Sequence, residues 1–150
     1  MARQRRKPDE PPLAPFFDMC VHGQLVSPQA VGSRRLALEA WKQRIRTACL
    51  AAWPHIDTPL LEVVSLRVTY YCEMAIGDVD NLVKPIQDAL QGVAHVNDRQ
   101  ISDVIGRRRS IDGSFRVRYM SPVLAMAFTD GRPFVHIEVW RRPDQEEIVG

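Results

Sequence analysis

The sequence predicts a mixed α/β fold of the α+β kind, a small mixed sheet packed with helices in a single domain. Two patterns carry that expectation. Residues 61–74 alternate apolar and polar side chains, the period of a strand with one buried face, so Val64, Leu66, Val68, Tyr70, Cys72 and Met74 point to a core. Residues 33–53 and 80–92 instead repeat apolar side chains at helical spacing, with further strand patterns interleaved between them. A chain of 150 residues is long enough to bury one such core.

Residues 1–15 are rich in Arg and Pro and are expected to be a disordered basic tail. The folded domain is expected over 16–142 and an acidic tail over 143–150. Residues 16–26 read as the first strand, with Phe17, Met19 and Val21 on one face and Gly23 marking a bulge or a close backbone approach. Ser33 is placed to cap the first helix and Pro54 to stop it. Between them Leu38, Trp41, Ile45, Ala48 and Ala52 form the apolar stripe, while Arg35, Lys42 and Arg46 gather on another face.

After the alternating strand, residues 80–92 predict a second helix with Leu82, Ile86, Ala89, Leu90 and Val93 inward. Asp80 or Asn81 would be its N-cap and Gly92 its C-cap. Pro85 lies where a ring removes a helical hydrogen bond, which predicts a kink or a late start. Strands over 100–110 and 115–120, joined by a turn at Asp112-Gly113, read as a hairpin. Ser121-Pro122 opens a short helix ending near Gly131, and residues 134–140 form the last strand with Val135, Ile137 and Val139 on one face.

The net charge of +2 does not by itself demand a polyanionic partner, but its distribution is uneven. Arg107, Arg108, Arg109, Arg116 and Arg118 crowd one stretch, so one face is expected to be basic and able to meet phosphates. Cys20, Cys49 and Cys72 are odd in number and widely spaced. That argues against a disulfide framework or zinc site and for a reducing, cytoplasmic setting. Neither a secretory signal nor a membrane-spanning stretch is expected.

The chemistry gathers around Gly77-Asp78-Val79-Asp80-Asn81-Leu82, with Lys84 four residues after Asp80 and Asp98 in a later loop. Carboxylates brought together repel unless a cation joins them, and a lysine beside them suits magnesium-dependent chemistry on a phosphate. Asp-x-Asp-Asn before a helix is also ordinary capping and turn chemistry. An EF-hand loop is excluded because Val83 stands where glycine is required. A phosphoaspartate mechanism on Asp78 would also use an Asp-x-Asp pair, but it fits this short chain poorly. A helix over 80–92 would carry the chain roughly 18 Å away from Asp80 at ~1.5 Å per residue. Asp98 must therefore fold back or complete a site across a dimer. Asp88 reads as a structural partner of Lys84 or Gln91, and His95 as a packed or solvated side chain rather than a base.

The run Asp78-Val79-Asp80-Asn81-Leu82-Val83-Lys84-Pro85-Ile86-Gln87-Asp88-Ala89-Leu90-Gln91-Gly92-Val93, followed by Asn97-Asp98-Arg99-Gln100-Ile101, resembles the signature of the RusA family of Holliday junction resolvases. Asn97 departs from it where an acid is common, and the helix over 121–131 looks like an addition. The resemblance implies a RusA-like fold and a homodimeric endodeoxyribonuclease that cuts four-way DNA junctions with Mg²⁺ or Mn²⁺. It implies metal-binding roles for Asp78, Asp80 and Asp98, and an essential basic role for Lys84 near the scissile phosphate. With such a site, Arg107, Arg109, Arg116, Arg118, Lys42 and Arg46 become candidate contacts for branched DNA. The rival expectations are a less selective nuclease cutting flaps, forks or single strands, and a non-catalytic DNA-binding module.

Overall fold

The computed structural model describes residues 14–23, 33–54, 58–73, 79–113 and 120–141, with side chains left aside at 33, 79–81 and 141. The chain runs β1 (Phe17–His22), α1 (Ser33–Ala52), β2 (Val64–Cys72), α2 (Val79–Leu90), a 3-10 turn (Asp98–Gln100), β3 (Ile101–Ser110), α3 (Pro122–Thr129) and β4 (Phe134–Arg141). The four strands form one mixed sheet in the order β1-β4-β2-β3. β4 lies antiparallel to both β1 and β2, whereas β3 runs parallel to β2, with α2 in the crossover between them. This is the α+β architecture that the alternating and helical patterns predict.

One face of the sheet is apolar because the period-two residues of three strands coincide in register. Leu66 faces Val139, Val68 faces Ile137 and Tyr70 faces Val135, while Phe17, Met19 and Val21 of β1 oppose the same three β4 residues. Trp41, Ile45, Cys49 and Trp53 of the α1 segment join this core, as do Leu82, Val83, Ile86, Ala89 and Leu90 of α2. Fully burying one such aliphatic side chain contributes roughly 1.5–3 kcal/mol, so α1 and α2 are held mainly by this face. The α1 stripe departs from expectation at its end: it continues through Cys49 and Trp53, four apart from Ile45, and Ala52 is exposed. Trp53 fixes that end by stacking edge-on against Phe17 at 5.0 Å.

Gly23 closes β1 by a close approach rather than a bulge. Its φ is +148°, and a Cβ there would lie 2.7 Å from both Arg44 Nη1 and the Trp41 ring. The buried Tyr70 hydroxyl donates to the Gly23 carbonyl at 3.2 Å, so the turn is tied to the centre of the sheet.

The second face along β2 is partly wet, with Arg67 and Tyr71 half-buried and Glu73 exposed just past the strand. Ser65 and Thr69 are buried because β2 is an interior strand, and their short side chains stand among larger ones. Arg67 lies 4.4 Å over the Trp140 ring, and Tyr71, Phe128 and Phe134 form an aromatic cluster with centroids 4.8–5.1 Å apart. That cluster seats α3 on this face. Ser121 caps α3, accepting from the Leu124 amide at 3.2 Å and donating to Asp18 at 2.7 Å. Asp18 also accepts from His136 at 2.9 Å, and this bond holds its carboxyl below the usual range against the opposing effect of burial.

Two expectations change at α2. The helix already includes Val79, so Asp80 and Asn81 lie inside its first turn rather than at its N-cap, and Pro85 does not delay its start. The expected C-cap glycine does appear, as Gly92 takes a φ of +87°, which L side chains rarely adopt. Residues 115–119 of the expected hairpin partner, with Arg116 and Arg118, lie outside the described residues, as do residues 1–13, residues 142–150 and the Ser33 side-chain cap. Of the hairpin, the turn after β3 is seen, where Gly113 donates to the Ser110 carbonyl at 3.1 Å.

Candidate active site

The site is built by α2 and the loop that leaves it. α2 buries Leu82, Val83, Ile86, Ala89 and Leu90, which turns Lys84 outward and leaves Gln87 and Asp88 at the edge. Pro85, also buried, cannot supply an amide to the carbonyl of residue 81, so the ladder is weakest in the turn that carries Lys84.

The loop then folds back on itself through backbone bonds. The Gly92 amide donates to the His95 carbonyl at 2.7 Å, and the Leu60 amide donates to the Ala94 carbonyl at 2.9 Å. Gln100 fixes the rest. Its side-chain oxygen accepts from the amides of Val96 and Asn97, both at 2.8 Å, while its amide nitrogen donates to the carbonyls of Leu60 at 2.7 Å and Glu62 at 3.0 Å. Asn97 completes a capping box by accepting from the Arg99 amide at 2.9 Å. Asn97 thus serves as the N-cap of the turn that presents Asp98.

Asp98 reaches α2 within one subunit. Its Oδ2 lies 3.5 Å from Lys84 Nζ, and its Oδ1 accepts from His95 Nε2 at 2.9 Å. Lys84 is anchored more closely by Asp88 Oδ1 at 2.9 Å, and Lys42 of α1 approaches the other Asp88 oxygen at 3.9 Å. The fold-back therefore happens inside the chain, and the route across a dimer is not needed to bring Asp98 to this helix. Asp88 pairs with Lys84 as the helical spacing predicts.

The charges stabilise one another. The hydrogen bond that Lys84 donates to Asp88 does most to raise the Lys84 pKa above its ordinary value, and the Asp98 charge adds to it. Burial pushes the Asp98 carboxyl up, but the hydrogen bond from His95, the positive charge of Lys84 and a further bond from Gln87 outweigh it, and the net direction is down. Lys84 is 55 % exposed and Asp98 33 %, so both remain open to a ligand from solvent, whereas His95 at 3 % does not.

Asp80 lies on α2 one turn before Lys84, and its side chain, like all of Asp78, is outside the described residues. Among the described residues no group of three His, Cys, Asp or Glu side chains is placed to hold a metal ion. The donor chemistry nonetheless fits magnesium. Asp98, the described member of the expected trio, is one-third exposed and offers a carboxylate, and hard cations take oxygen ligands while keeping several waters.

The basic candidates separate into two sets. Lys42 and Arg46 stand on α1 beside α2, and Arg46 donates to the Gln91 carbonyl at 2.9 Å, closing the end of that helix. Arg107 pairs in register with Thr69 and Arg109 with Tyr71, which puts both on the opposite face of the sheet from α1 and α2. At ~3.3 Å per residue, Arg107 stands roughly 20 Å along β3 from Ile101.

Sequence reasoning gives Gln100 no role, and it reads His95 as a packed or solvated side chain; the ring is packed, at 3 % exposure, and what that reading lacks is its bond to Asp98. The Asn97-x-x-Gln100 spacing is a readable capping box, and His95 sits three residues before Asp98, the separation of neighbours across one turn.

No curated protein matches the sequence. A family model described as endodeoxyribonuclease RusA matches residues 23–139, a span that takes in α1, α2, the Asp98 loop, α3 and most of β4. With more than three quarters of its length matched, the chain belongs to the RusA family of endodeoxyribonucleases.

Proposed function

We propose that this chain is a divalent-metal-dependent endodeoxyribonuclease that cuts Holliday junctions or related branched DNA by attack of water on a phosphodiester. The observation that carries the reading is the return of Asp98 to within 3.5 Å of Lys84, one helical turn from Asp80. Asp78, Asp80 and Asp98 would hold Mg²⁺, or Mn²⁺ in its place. That ion, when bound, supplies a water of lowered pKa and neutralises phosphate charge.

The chain's own residues do the rest. Asp98 presents one oxygen while the other stays bonded to His95. Lys84, a compact charge held by Asp88, stands beside that oxygen and steadies negative charge building on the phosphoryl oxygens. One chain offers one such cluster, and cutting two strands of a junction with approximate two-fold symmetry calls for two, so the working form is a homodimer. No described helix is long and apolar enough to cross a membrane. Burial pushes the Cys20 and Cys49 thiols up to about 12, which keeps them protonated, and the cytoplasmic setting rests on the odd number and wide spacing of the three cysteines.

Parallel digestion of a four-way junction, a flapped substrate and linear duplex tests the reading. With Mg²⁺ the junction is expected to be cut and the linear duplex spared, and EDTA should stop cleavage. Equal cutting of all three substrates would establish the less selective nuclease instead. Junction binding without any cleavage would leave a non-catalytic binding module.

Arg107 and Arg109 share a sheet face, so they are expected to contact phosphates together. Replacing both with alanine should lower the slope of log affinity against log salt by about 2. A slope equal to that of the unaltered chain would remove them from the interface.

A further inference from the structure

A histidine ring that is almost fully enclosed must spend its polar nitrogens on partners, because leaving one unmet costs roughly 1–3 kcal/mol. His95 is 3 % exposed, and its Nε2 meets Asp98 Oδ1 at 2.9 Å. An ionised carboxylate only accepts, so His95 donates, and Nε2 carries the proton. The main chain that carries the ring is held on both sides. Gly92 bonds the His95 carbonyl, Leu60 bonds the carbonyl of Ala94 just before it, and Gln100 clamps the amides of Val96 and Asn97 just after it. A buried donor held by three chain segments thus grips one oxygen of an acid that is otherwise one-third exposed.

We propose that His95 is a positioning residue that fixes Oδ1 of Asp98 and so turns Oδ2 toward the space beside Lys84, where a divalent cation binds. This inference rests on the metal-nuclease reading above. His95 touches neither substrate nor metal and acts through Asp98 alone. Its effect is on order: a free aspartate rotates about two side-chain torsions, whereas one with a bonded oxygen presents the other in a narrow range of directions. Partners that orient metal-binding carboxylates in this way typically carry 10–100-fold of metal affinity.

The test compares His95→Leu, which fills space without a donor, with His95→Gln, whose side-chain amide can donate in place of Nε2. Mn²⁺ binding to the full-length chains is followed by electron paramagnetic resonance, beside thermal melting of each chain without metal. His95→Leu is expected to bind Mn²⁺ about 10–100-fold more weakly, and His95→Gln to recover most of the loss although both variants lose the imidazole. Equal Mn²⁺ affinity in the two variants, or unaltered affinity in His95→Leu, would overturn the positioning role while leaving the metal site standing. Failure of the unaltered chain to bind Mn²⁺ would overturn the metal reading and this inference with it.

A second measurement needs no variant. The Nε2 proton of His95, enclosed and bonded to Asp98, is followed by NMR in the unaltered chain. Adding Mg²⁺ should shift its resonance. An unmoved signal at a Mg²⁺ concentration that supports cleavage would overturn the coupling.

Discussion

Asp98→Asn is expected to lower junction cleavage about a thousandfold at saturating DNA while changing junction affinity less than about threefold. The substitution is nearly isosteric, and its amide oxygen can still accept from His95, so the loop keeps its shape. What changes is the other position. The oxygen beside Lys84 becomes an NH₂ group, which repels a cation and adds a donor facing a lysine that has none to accept it. A metal ion contributes several kcal/mol to transition-state charge stabilisation, and each 1.36 kcal/mol is tenfold in rate, which sets the expected size. Binding is spared because it draws on basic contacts rather than on the acid. Asp80→Asn should behave in the same way, its loss falling on the same donor set.

The pH dependence follows from the direction of the Asp98 shift. Its folded pKa is depressed, so its ionised form is fully present at and above the ordinary carboxylate range and is lost only as pH falls through the lower folded value. Between pH 6 and 9 Asp98 therefore contributes no limb to the rate profile. Cleavage and Mn²⁺ binding measured side by side on Asp98→Asn check both points. A variant that cuts junctions at the unaltered rate would remove Asp98 from the chemistry.

Much of this arrangement is legible in the residues because local and global signals agree. The alternation in β2 and the 3.6-residue repeat of α2 each name their own core face, and in register they make one apolar surface. The site is harder to read because its decisive contact is tertiary. Helical spacing alone ties Lys84 to Asp88, yet nothing local says that Asp98 returns to them, because the return depends on bonds from Gln100 to Leu60 and Glu62 forty residues earlier.

The depth of Ser65 and Thr69 is hidden for a related reason. Ser65 and Thr69 are polar and alternate with apolar neighbours, so they look solvent-facing until β3 and β4 flank β2 on both sides. The α1 stripe went astray at Ala52 because alanine fits either environment, while Trp53, just past the helix, had the larger surface to bury. The packing of His95 is legible, but its partner is not, because a single histidine in a turn carries no periodicity. Only its burial beside an acid distinguishes it from a solvated ring.

Lys84→Ala should separate charge stabilisation from metal binding. Lys84 sits between two acids, 2.9 Å from Asp88 and 3.5 Å from Oδ2 of Asp98, so it competes with any cation for that oxygen. Removing it is expected to leave Mn²⁺ affinity unchanged or tighter, while cleavage falls by about 10²–10³-fold, the usual size for losing one preorganised group aimed at developing charge. Folding stability should change by less than about 1 kcal/mol, since the lysine is more than half exposed and its ion pairs are screened.

Arginine is a poor replacement, because its planar fork would engage Asp88 and Asp98 together rather than present a compact charge to a phosphate. The pH behaviour has the opposite sign to that of Asp98. The folded Lys84 pKa is raised, so its charge is fully present below the ordinary lysine value and is lost only as pH rises through the higher folded one. No lysine limb should therefore appear below pH 9. Single-turnover cleavage, Mn²⁺ titration and thermal melting of Lys84→Ala provide the three readouts. Parallel loss of cleavage and metal affinity would recast Lys84 as a support for the acids, and unaltered cleavage would exclude it from the reaction altogether.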